Sequence, residues 1–256
     1  MNEKEQDHDQ IISRLCTLVE SLSIHQRQLS AKIEELHIHH EQLFAQQNSV
    51  YSQIDALFSI FSLINIRHPL PTMRGWPVSP DFVKILISLI FEKKPSLILE
   101  LGSGLSTLIG AYSLEKNQKG KIISLDHDPE FAVITRKKLG LHELEPYADI
   151  VCCPLKEQTL CGETHLWYSF EKKRLPLSID ILLVDGPPSS YKNTIRYPAL
   201  PFFFDCLSDD ATVVLDDAAR SGEKEIVARW MAEYDCFDHE YLDTEKGTAI
   251  LRKKRK

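Results

Sequence analysis

Apolar residues in the first quarter of the chain recur with the spacing of a heptad repeat. Ile11, Leu15, Leu18 and Leu22 are separated by four, three and four positions, and the same alternation resumes at Ile33. It then continues through Leu36, His40, Leu43, Gln47, Val50, Ile54, Leu57, Phe61 and Ile64. This spacing predicts a long amphipathic helix of the coiled-coil type.

The boundary of this helical region is marked by glycine and proline. Residues 1–68 contain neither, whereas all 10 glycines and all 13 prolines lie further along the chain. Because both residue types interrupt regular helices, the sequence predicts a helical region over residues 1–68 and a separate domain over residues 69–256.

We call the stripe formed by these heptad positions the predicted seam of the coiled coil. The seam is imperfect, because its phase slips between Leu29 and Ile33 and because His25, His40 and Gln47 occupy positions that are normally apolar. A helix of this size would be roughly 80 Å long at 1.5 Å per residue and would need to bury its apolar stripe. We expect self-association of the chain as a homo-oligomer, with a helical hairpin that folds back on the following domain as the alternative.

Beyond Pro69 the pattern changes to short apolar strands that alternate with amphipathic helices. Ser79, Pro80 and Asp81 predict the start of a helix that ends at about Lys93. The predicted strands that follow are SLILEL, KIISLD, DIVCC, IDILLVD and ATVVLDD, and the predicted helices are STLIGAYSLE, PEFAVITRKKL, YPALPFFFDCL and EKEIVARWMAEY. Since the strands are continuously apolar, helices should cover both faces of the sheet. The fold class is therefore α/β, a Rossmann-like doubly wound and mostly parallel sheet, and the segments FDHEYL and TAILRK predict a C-terminal antiparallel hairpin.

Charge and composition exclude several classes of partner. The net charge of −7 disfavours a nucleic-acid partner, and the single basic run, Arg252–Lys256, is expected to be a solvated tail. No apolar run approaches the roughly 20 residues that span a bilayer, so we expect no membrane span. Six cysteines without a C-x-x-C pair predict free thiols and a cytoplasmic location.

The loop after the first predicted strand carries the first sign of chemistry. Gly102, Ser103 and Gly104 follow Glu100, and Thr107 occupies the place of the third glycine of a dinucleotide fingerprint. Glu100 would repel a phosphate but attract a cationic ligand that bears an amino group and a sulfonium. Both features weaken the hypothesis of a nicotinamide-dependent oxidoreductase. Asp126 ends the second strand, where an acid suits ribose hydroxyls, so a nucleoside without phosphate fits best.

Over about residues 79–253 the chain resembles the class I S-adenosylmethionine-dependent methyltransferases. The resemblance is carried by ELGSGLST, SLDHDPEF, VDGPPSSYKNTIRYPALP and VVLDDAAR, which are similar to a bacterial family of small-molecule O-methyltransferases. It implies S-adenosylmethionine as the cofactor, with the ribose at Asp126 and the adenine near Cys153. The predicted cofactor-binding residues are Glu100, Gly102, Ser103, Gly104, Thr107, Asp126, Pro154 and Leu155.

Three carboxylates end the fourth and fifth predicted strands and should converge beside the cofactor loop. Asp185, Asp216 and Asp217 are oxygen ligands of the kind that suit Mg²⁺. More distantly, this part resembles the metal-dependent catechol-type O-methyltransferases, with Asp217 in place of an Asn and Pro188 in place of the lysine that serves as base. A metal site and a structural role, with Asp217 capping a helix and Asp216 solvated, are equally open.

The base for the reaction is left with three candidates. Asp185 could accept the proton directly, a metal could lower the pKa of the acceptor hydroxyl, or Lys192 could replace the missing lysine. Tyr191 fits the substrate side of the catechol-type pattern, and Trp76 is a second aromatic candidate. Arg196 and Arg220 are candidates for anchoring an anionic substrate or for pairing with the aspartates, and simple exposure at the surface is an equally open alternative.

The leading functional hypothesis is a methyltransferase that acts on a hydroxyl of a small-molecule or glycan-type acceptor. The alternative is a coiled-coil interaction protein whose Rossmann-like domain binds S-adenosylmethionine without turnover. Catalytic turnover distinguishes the two hypotheses.

Overall fold

A computed structural model of the chain describes residues 3–73, 77–160 and 162–254. The chain divides into two compact units, Met1–Tyr51 and Ser52–Lys256. Helix α1 runs without interruption over Glu3–Leu63, so this region is one helix and not a helical hairpin. Within the described parts of the chain, none of the helices combines the length and apolar character needed to cross a bilayer.

The predicted seam of α1 is open to solvent throughout the first unit, from Ile11 to Val50. In the second unit the last turns of α1 pack on the domain through a different face. The buried side chains there are Gln53, Ala56, Ile60 and Ile64, of which only Ile64 belongs to the predicted seam. The Gln53 side chain donates to Asp81 Oδ2 at 2.8 Å and accepts from the Asp81 N–H at 3.1 Å, which explains why a polar residue is buried there.

The second unit contains the predicted doubly wound sheet. Its order is β3-β2-β1-β6-β7-β9-β8, and all neighbours are parallel except the pairs that β9 makes with β7 and β8. Two further strands, β4 and β5, form a separate antiparallel hairpin. The strands are β1 (Leu97–Leu101), β2 (Lys121–Asp126), β3 (Ala148–Cys152), β4 (Leu155–Leu160), β5 (Glu163–Tyr168), β6 (Ile179–Val184), β7 (Leu207–Asp216), β8 (Phe237–Leu242) and β9 (Thr248–Lys253). The predicted fold class and the predicted C-terminal hairpin are confirmed.

Helices cover both faces of the sheet, as the continuously apolar strands predict. Leu97, Leu99 and Leu101 of β1 pack in one core layer, whereas Ile98 packs in the other. The Ile98 side carries α2 (Pro80–Lys93), α3 (Leu105–Asn117) and α4 (Pro129–Leu141). The opposite side carries α5 (Ala199–Phe203), α6 (Ser221–Glu233) and the β4–β5 hairpin.

The β4–β5 hairpin is an element that the sequence analysis missed. Leu155 pairs with Tyr168 and Leu160 with Glu163. On β5, His165 and Trp167 face the core. The hairpin lies between β3 and β6 in the chain and packs against the sheet on the face of α5 and α6. The predicted helix over YPALPFFFDCL is also shorter than expected, since only Ala199–Phe203 is α-helical and a 3₁₀ turn follows.

Candidate functional site

The site lies at the edge of the sheet where β1, β2, β6 and β7 end side by side. Gly102 follows β1 with a φ of +97°, a conformation that favours glycine. A Cβ at this position would also lie 3.3 Å from the carbonyl carbon of Asp185 and from the nitrogen of Gly186. Gly102 therefore allows the loops after β1 and β6 to touch. By contrast, a Cβ at Gly104 would meet no atom within 4 Å, so this part of the loop borders open space.

Glu100 is buried beneath this loop with no exposed surface. Its Oε2 accepts a hydrogen bond from the Thr107 hydroxyl at 2.5 Å, and Thr107 Oγ1 accepts one from the Gly104 N–H at 2.9 Å. Oε1 has no hydrogen-bond partner. Burial raises the pKa of Glu100 to about 7, and the nearby hydroxyls of Ser106, Thr107 and Ser124 oppose this rise. A cationic group near Oε1 would therefore stabilise the ionised carboxylate.

Asp126 joins the end of β2 to the same loop. Its Oδ2 accepts hydrogen bonds from the N–H of Ser103 at 3.1 Å and from the Ser103 hydroxyl, and its Oδ1 accepts from the Asp128 N–H at 3.0 Å. The side chain is 4% exposed. Ser103 and Asp126, both predicted to bind cofactor, are thus in direct contact.

The residues predicted to contact adenine follow β3 at this edge. The N–H of Cys153 donates to the carbonyl oxygen of Asp126 at 2.6 Å, and burial raises the pKa of the Cys153 thiol to about 11. Pro154 is exposed and Leu155 is partly buried. The structure therefore brings this segment beside the predicted ribose residue.

The three aspartates converge as expected. One carboxylate oxygen from each of Asp185, Asp216 and Asp217 lies within 4.8 Å of the others. Asp216 has no exposed surface, and neither of its carboxylate oxygens has a hydrogen-bond partner. Asp217 is 3% exposed, has a φ of +62° and does not cap α6, whose N-cap is Arg220. The alternative in which Asp216 is solvated and Asp217 caps a helix is therefore wrong.

Arg196 lies within the aspartate cluster and is only 3% exposed. Its Nη2 is 3.1 Å from Asp217 Oδ2 and donates to the Asp185 carbonyl oxygen at 2.8 Å, while Nη1 donates to the Asp216 carbonyl oxygen at 3.1 Å. Of the predicted alternatives for Arg196, pairing with the aspartates is the one that the structure displays, and surface exposure is wrong. Burial raises the pKa of Asp185 to about 7, Arg196 opposes this rise, and the charge of Asp217 adds to it.

Tyr191 and Lys192 lie in different surroundings. The Tyr191 side chain is 55% exposed, and its ring centroid is 5.8 Å from that of His127, the residue after Asp126. Lys192 is exposed and lines a small cavity together with His165 and Arg229. The structure therefore brings Tyr191 to the cofactor edge, whereas it places Lys192 beside the hairpin and α6. Trp76 lies outside the described residues, as does Cys161.

Tyr168, the last residue of β5, reaches the site and was not predicted to do so. It has no exposed surface, and its hydroxyl has no hydrogen-bond partner. A Cβ added to Gly186 would lie 2.6 Å from that hydroxyl and 3.1 Å from Gly102 Cα. The only sequence signal was the aromatic run in THLWYSF, which has no meaning for the site until the hairpin is known.

The comparisons with known proteins agree with this geometry. Residues 99–218 match the sequence profile of a methyltransferase domain. The SAH-bound methyltransferase PaMTH1 from Podospora anserina is 17% identical, with a TM-score of 0.57 over 82% of this chain and 95% of that one. An O-methyltransferase from Bacillus cereus in complex with SAH is 15% identical, with a TM-score of 0.53 over 80% and 91%. TomG, an O-methyltransferase from Streptomyces achromogenes in complex with SAM, is 14% identical, with a TM-score of 0.50 over 79% and 89%. No curated protein sequence is significantly similar to the chain.

The profile match covers β1 to the residues just after β7, which includes the glycine loop and the three aspartates. The structural neighbours share the fold of the sheet and its helices. Together these findings confirm the resemblance to class I methyltransferases and identify a methyltransferase domain in this chain.

Proposed function

We propose that this methyltransferase domain transfers a methyl group from S-adenosylmethionine to a hydroxyl of a small-molecule or glycan-type acceptor. One observation carries the proposal: the open glycine loop, the buried acid beneath it and the aspartate cluster lie at one edge of the sheet. The first two fit the cofactor and the third fits the acceptor. The named neighbours in complex with SAH or SAM support the same cofactor.

The residues of the loop fit the charge of S-adenosylmethionine. Oε1 of Glu100 is buried without a partner, and an ammonium group would satisfy it. Gly104 leaves space for a ligand against the backbone, and Asp126 offers carboxylate oxygens to ribose hydroxyls. Cys153, Pro154 and Leu155 would border the adenine. When bound, the cofactor supplies an electrophilic methyl group.

The chain itself must orient the acceptor and accept its proton. Among the three aspartates, Asp185 is the one whose side chain reaches solvent, at 22% exposure against 4% for Asp217. Arg196 holds the backbone oxygen of Asp185 and lies 3.5 Å from its Oδ1, which fixes the direction of the carboxylate. We assign Asp185 as the base that takes the hydroxyl proton, with Tyr191 beside the acceptor.

A divalent cation is the second route to the same activation. Both carboxylate oxygens of Asp216 and Oδ1 of Asp217 accept no hydrogen bond, and together with Asp185 they provide the carboxylate donors that Mg²⁺ prefers. A bound Mg²⁺ would lower the pKa of an acceptor hydroxyl. Methyl transfer measured in excess chelator separates the routes, because only the metal route loses activity there and recovers it on addition of Mg²⁺.

The function is tested by transfer of a labelled methyl group from S-adenosylmethionine to a panel of phenols, catechols and glycosides. Asp185→Asn should abolish transfer and leave cofactor binding intact, since the amide keeps the shape but cannot take the proton. An Asp185→Asn protein with full activity would overturn the assignment. A wild-type protein that binds the cofactor but methylates none of these acceptors would favour the interaction-protein alternative.

We further propose that the chain forms a homo-oligomer through α1. The seam from Ile11 to Val50 is exposed in the described chain, and long apolar stripes of this kind are normally buried on a partner helix. Light scattering coupled to size exclusion measures the number of chains directly. A cytoplasmic location is proposed as well, because the five cysteines that the structure describes are free thiols.

A further inference from the structure

The Tyr168 hydroxyl is a buried polar group that the proposed reaction does not yet use. A buried donor without a partner costs free energy, and a phenylalanine of the same shape would avoid that cost. The hydroxyl is therefore best explained by a partner that is present in another state of the protein. Ordered water and a ligand are the two kinds of partner that can satisfy it.

The position of the Tyr168 ring is fixed by its own strand. Tyr168 pairs with Leu155 across the hairpin, and the carbonyl oxygen of Tyr168 accepts a hydrogen bond from Gln158 Nε2 at 2.7 Å. At the far end of β5, Arg229 of α6 binds both carboxylate oxygens of Glu163 at 3.0 and 3.1 Å. The Glu163 end of the hairpin is thus held to α6, and the Tyr168 hydroxyl lies beside Gly186.

The charges around this hydroxyl indicate what it could bind. Asp126 and Asp185 bring negative charge close to the hydroxyl, and Arg196 brings positive charge. Burial, together with the charges of Asp126 and Asp185, raises the pKa of the Tyr168 hydroxyl well above its ordinary value, so it keeps its proton and can donate. The amino acid part of S-adenosylmethionine carries both an ammonium, which suits Glu100, and a carboxylate, which accepts hydrogen bonds from a donor such as this hydroxyl.

We propose that Tyr168 is a cofactor-binding residue whose hydroxyl donates a hydrogen bond to the carboxylate in the amino acid part of S-adenosylmethionine. This inference rests on the proposed function and assigns a role to the β4–β5 hairpin, which brings the donor to the loops after β1 and β6. The hydroxyl lies beside Gly186, whose loop touches Gly102, where the amino acid part is expected.

The test compares wild type with Tyr168→Phe in calorimetric titrations of two ligands. S-adenosylhomocysteine contains the carboxylate, whereas 5′-methylthioadenosine lacks the whole amino acid part. The substitution should weaken S-adenosylhomocysteine about tenfold, as expected for one lost hydrogen bond, and leave 5′-methylthioadenosine unchanged. Thermal unfolding of the free protein should be unchanged or shifted upward, because an unsatisfied hydroxyl has been removed.

Tyr112→Phe provides the matched control. Tyr112 is also buried, but its hydroxyl accepts from the Arg67 N–H at 3.0 Å and lies 2.6 Å from His142 Nδ1. This variant should lower the melting temperature and leave the affinity for S-adenosylhomocysteine unchanged. The two tyrosines therefore separate a binding role from a structural one.

Three results would overturn the inference while the proposed function stands. Equal affinity of wild type and Tyr168→Phe for S-adenosylhomocysteine would remove the hydrogen bond. An equal loss for both ligands would move the contact from the carboxylate to the nucleoside. A lower melting temperature together with weaker binding would show that the hydroxyl supports the fold. A wild-type protein that binds neither ligand would instead refute the proposed function, and the inference with it.

Discussion

Glu100→Gln tests whether the ionised form of the buried acid beneath the glycine loop lowers the free energy of unfolding. The side chain has no exposed surface, and its pKa is raised from 4.5 to about 7, mainly by burial. Because the folded-state pKa lies above the ordinary value, the neutral acid stabilises the fold below about pH 4.5. This stabilisation is lost as the pH rises through about 7. Above that pH the buried carboxylate is charged and lowers the free energy of unfolding by a constant amount.

The magnitude follows from the size of the shift. One pKa unit corresponds to about 1.4 kcal/mol, so the full penalty is about 3.5 kcal/mol, and about 2.5 kcal/mol of it develops between pH 5 and pH 8. Glutamine does not ionise, although it places an amide N–H₂ near the unpartnered Oε1 position, which costs about 1 kcal/mol at every pH. The variant should therefore gain about 2 kcal/mol relative to wild type at pH 8 and nothing at pH 5.

The assay is chemical denaturation of both proteins at a series of pH values, with the exposed Glu157→Gln as the control. The difference in unfolding free energy between Glu100→Gln and wild type should grow with pH, whereas that between Glu157→Gln and wild type should stay flat. Cofactor affinity provides a second measurement. Wild-type affinity for S-adenosylmethionine should rise with pH through about 7, since an ammonium favours the ionised acid, and the variant should lose this dependence.

A pH-independent difference between Glu100→Gln and wild type would refute the reasoning. It would mean that the carboxylate ionises in the folded protein as easily as in the unfolded chain, by contact with water or a cation. The role of Glu100 as an attractor of the cofactor's ammonium would then lose its physical basis.

Two further predictions concern the loop and the long helix. Gly102→Ala should destabilise the fold by about 2 to 3 kcal/mol in denaturation, because φ is +97° and the new Cβ would press on the loop after β6. Gly162→Ala, with a similar φ of +82° but no neighbour within 4 Å, should cost only about 1 kcal/mol, and equal losses would argue against the loop contact. Leu36→Glu in the seam should reduce the number of chains measured by light scattering. Ala45→Glu on another face of α1 should not, and an unchanged assembly in both variants would contradict the seam.

The fold could be predicted because its signals are local. The bounds of β2, Lys121–Asp126, and of the terminal pair β8 and β9 agree with the predicted segments, since each is a short run closed by turn-forming residues. The convergence of the glycine loop and the three aspartates could also be predicted, because parallel neighbouring strands bring their carboxyl ends to one edge.

The features that could not be predicted from the sequence depend on tertiary contacts. The β4–β5 hairpin is rich in polar residues, and it is stable because Trp167 and Tyr168 are buried against the sheet, which no periodicity reveals. Pairing with the aspartates was one of the predicted roles of Arg196, but only the structure shows it buried beside the carboxylates that follow β6 and β7. The sequence also did not reveal which face of the last turns of α1 packs on the domain. This face includes the polar Gln53, which is buried because it forms hydrogen bonds with Asp81.

The most direct test of the account is calorimetric titration of S-adenosylmethionine into the wild-type protein, with and without Mg²⁺. We expect micromolar binding at one site per chain, and an increase in affinity with Mg²⁺ if the aspartate cluster takes part. No binding in either condition would contradict the assignment of the glycine loop as a cofactor site, and with it the proposed methyl transfer.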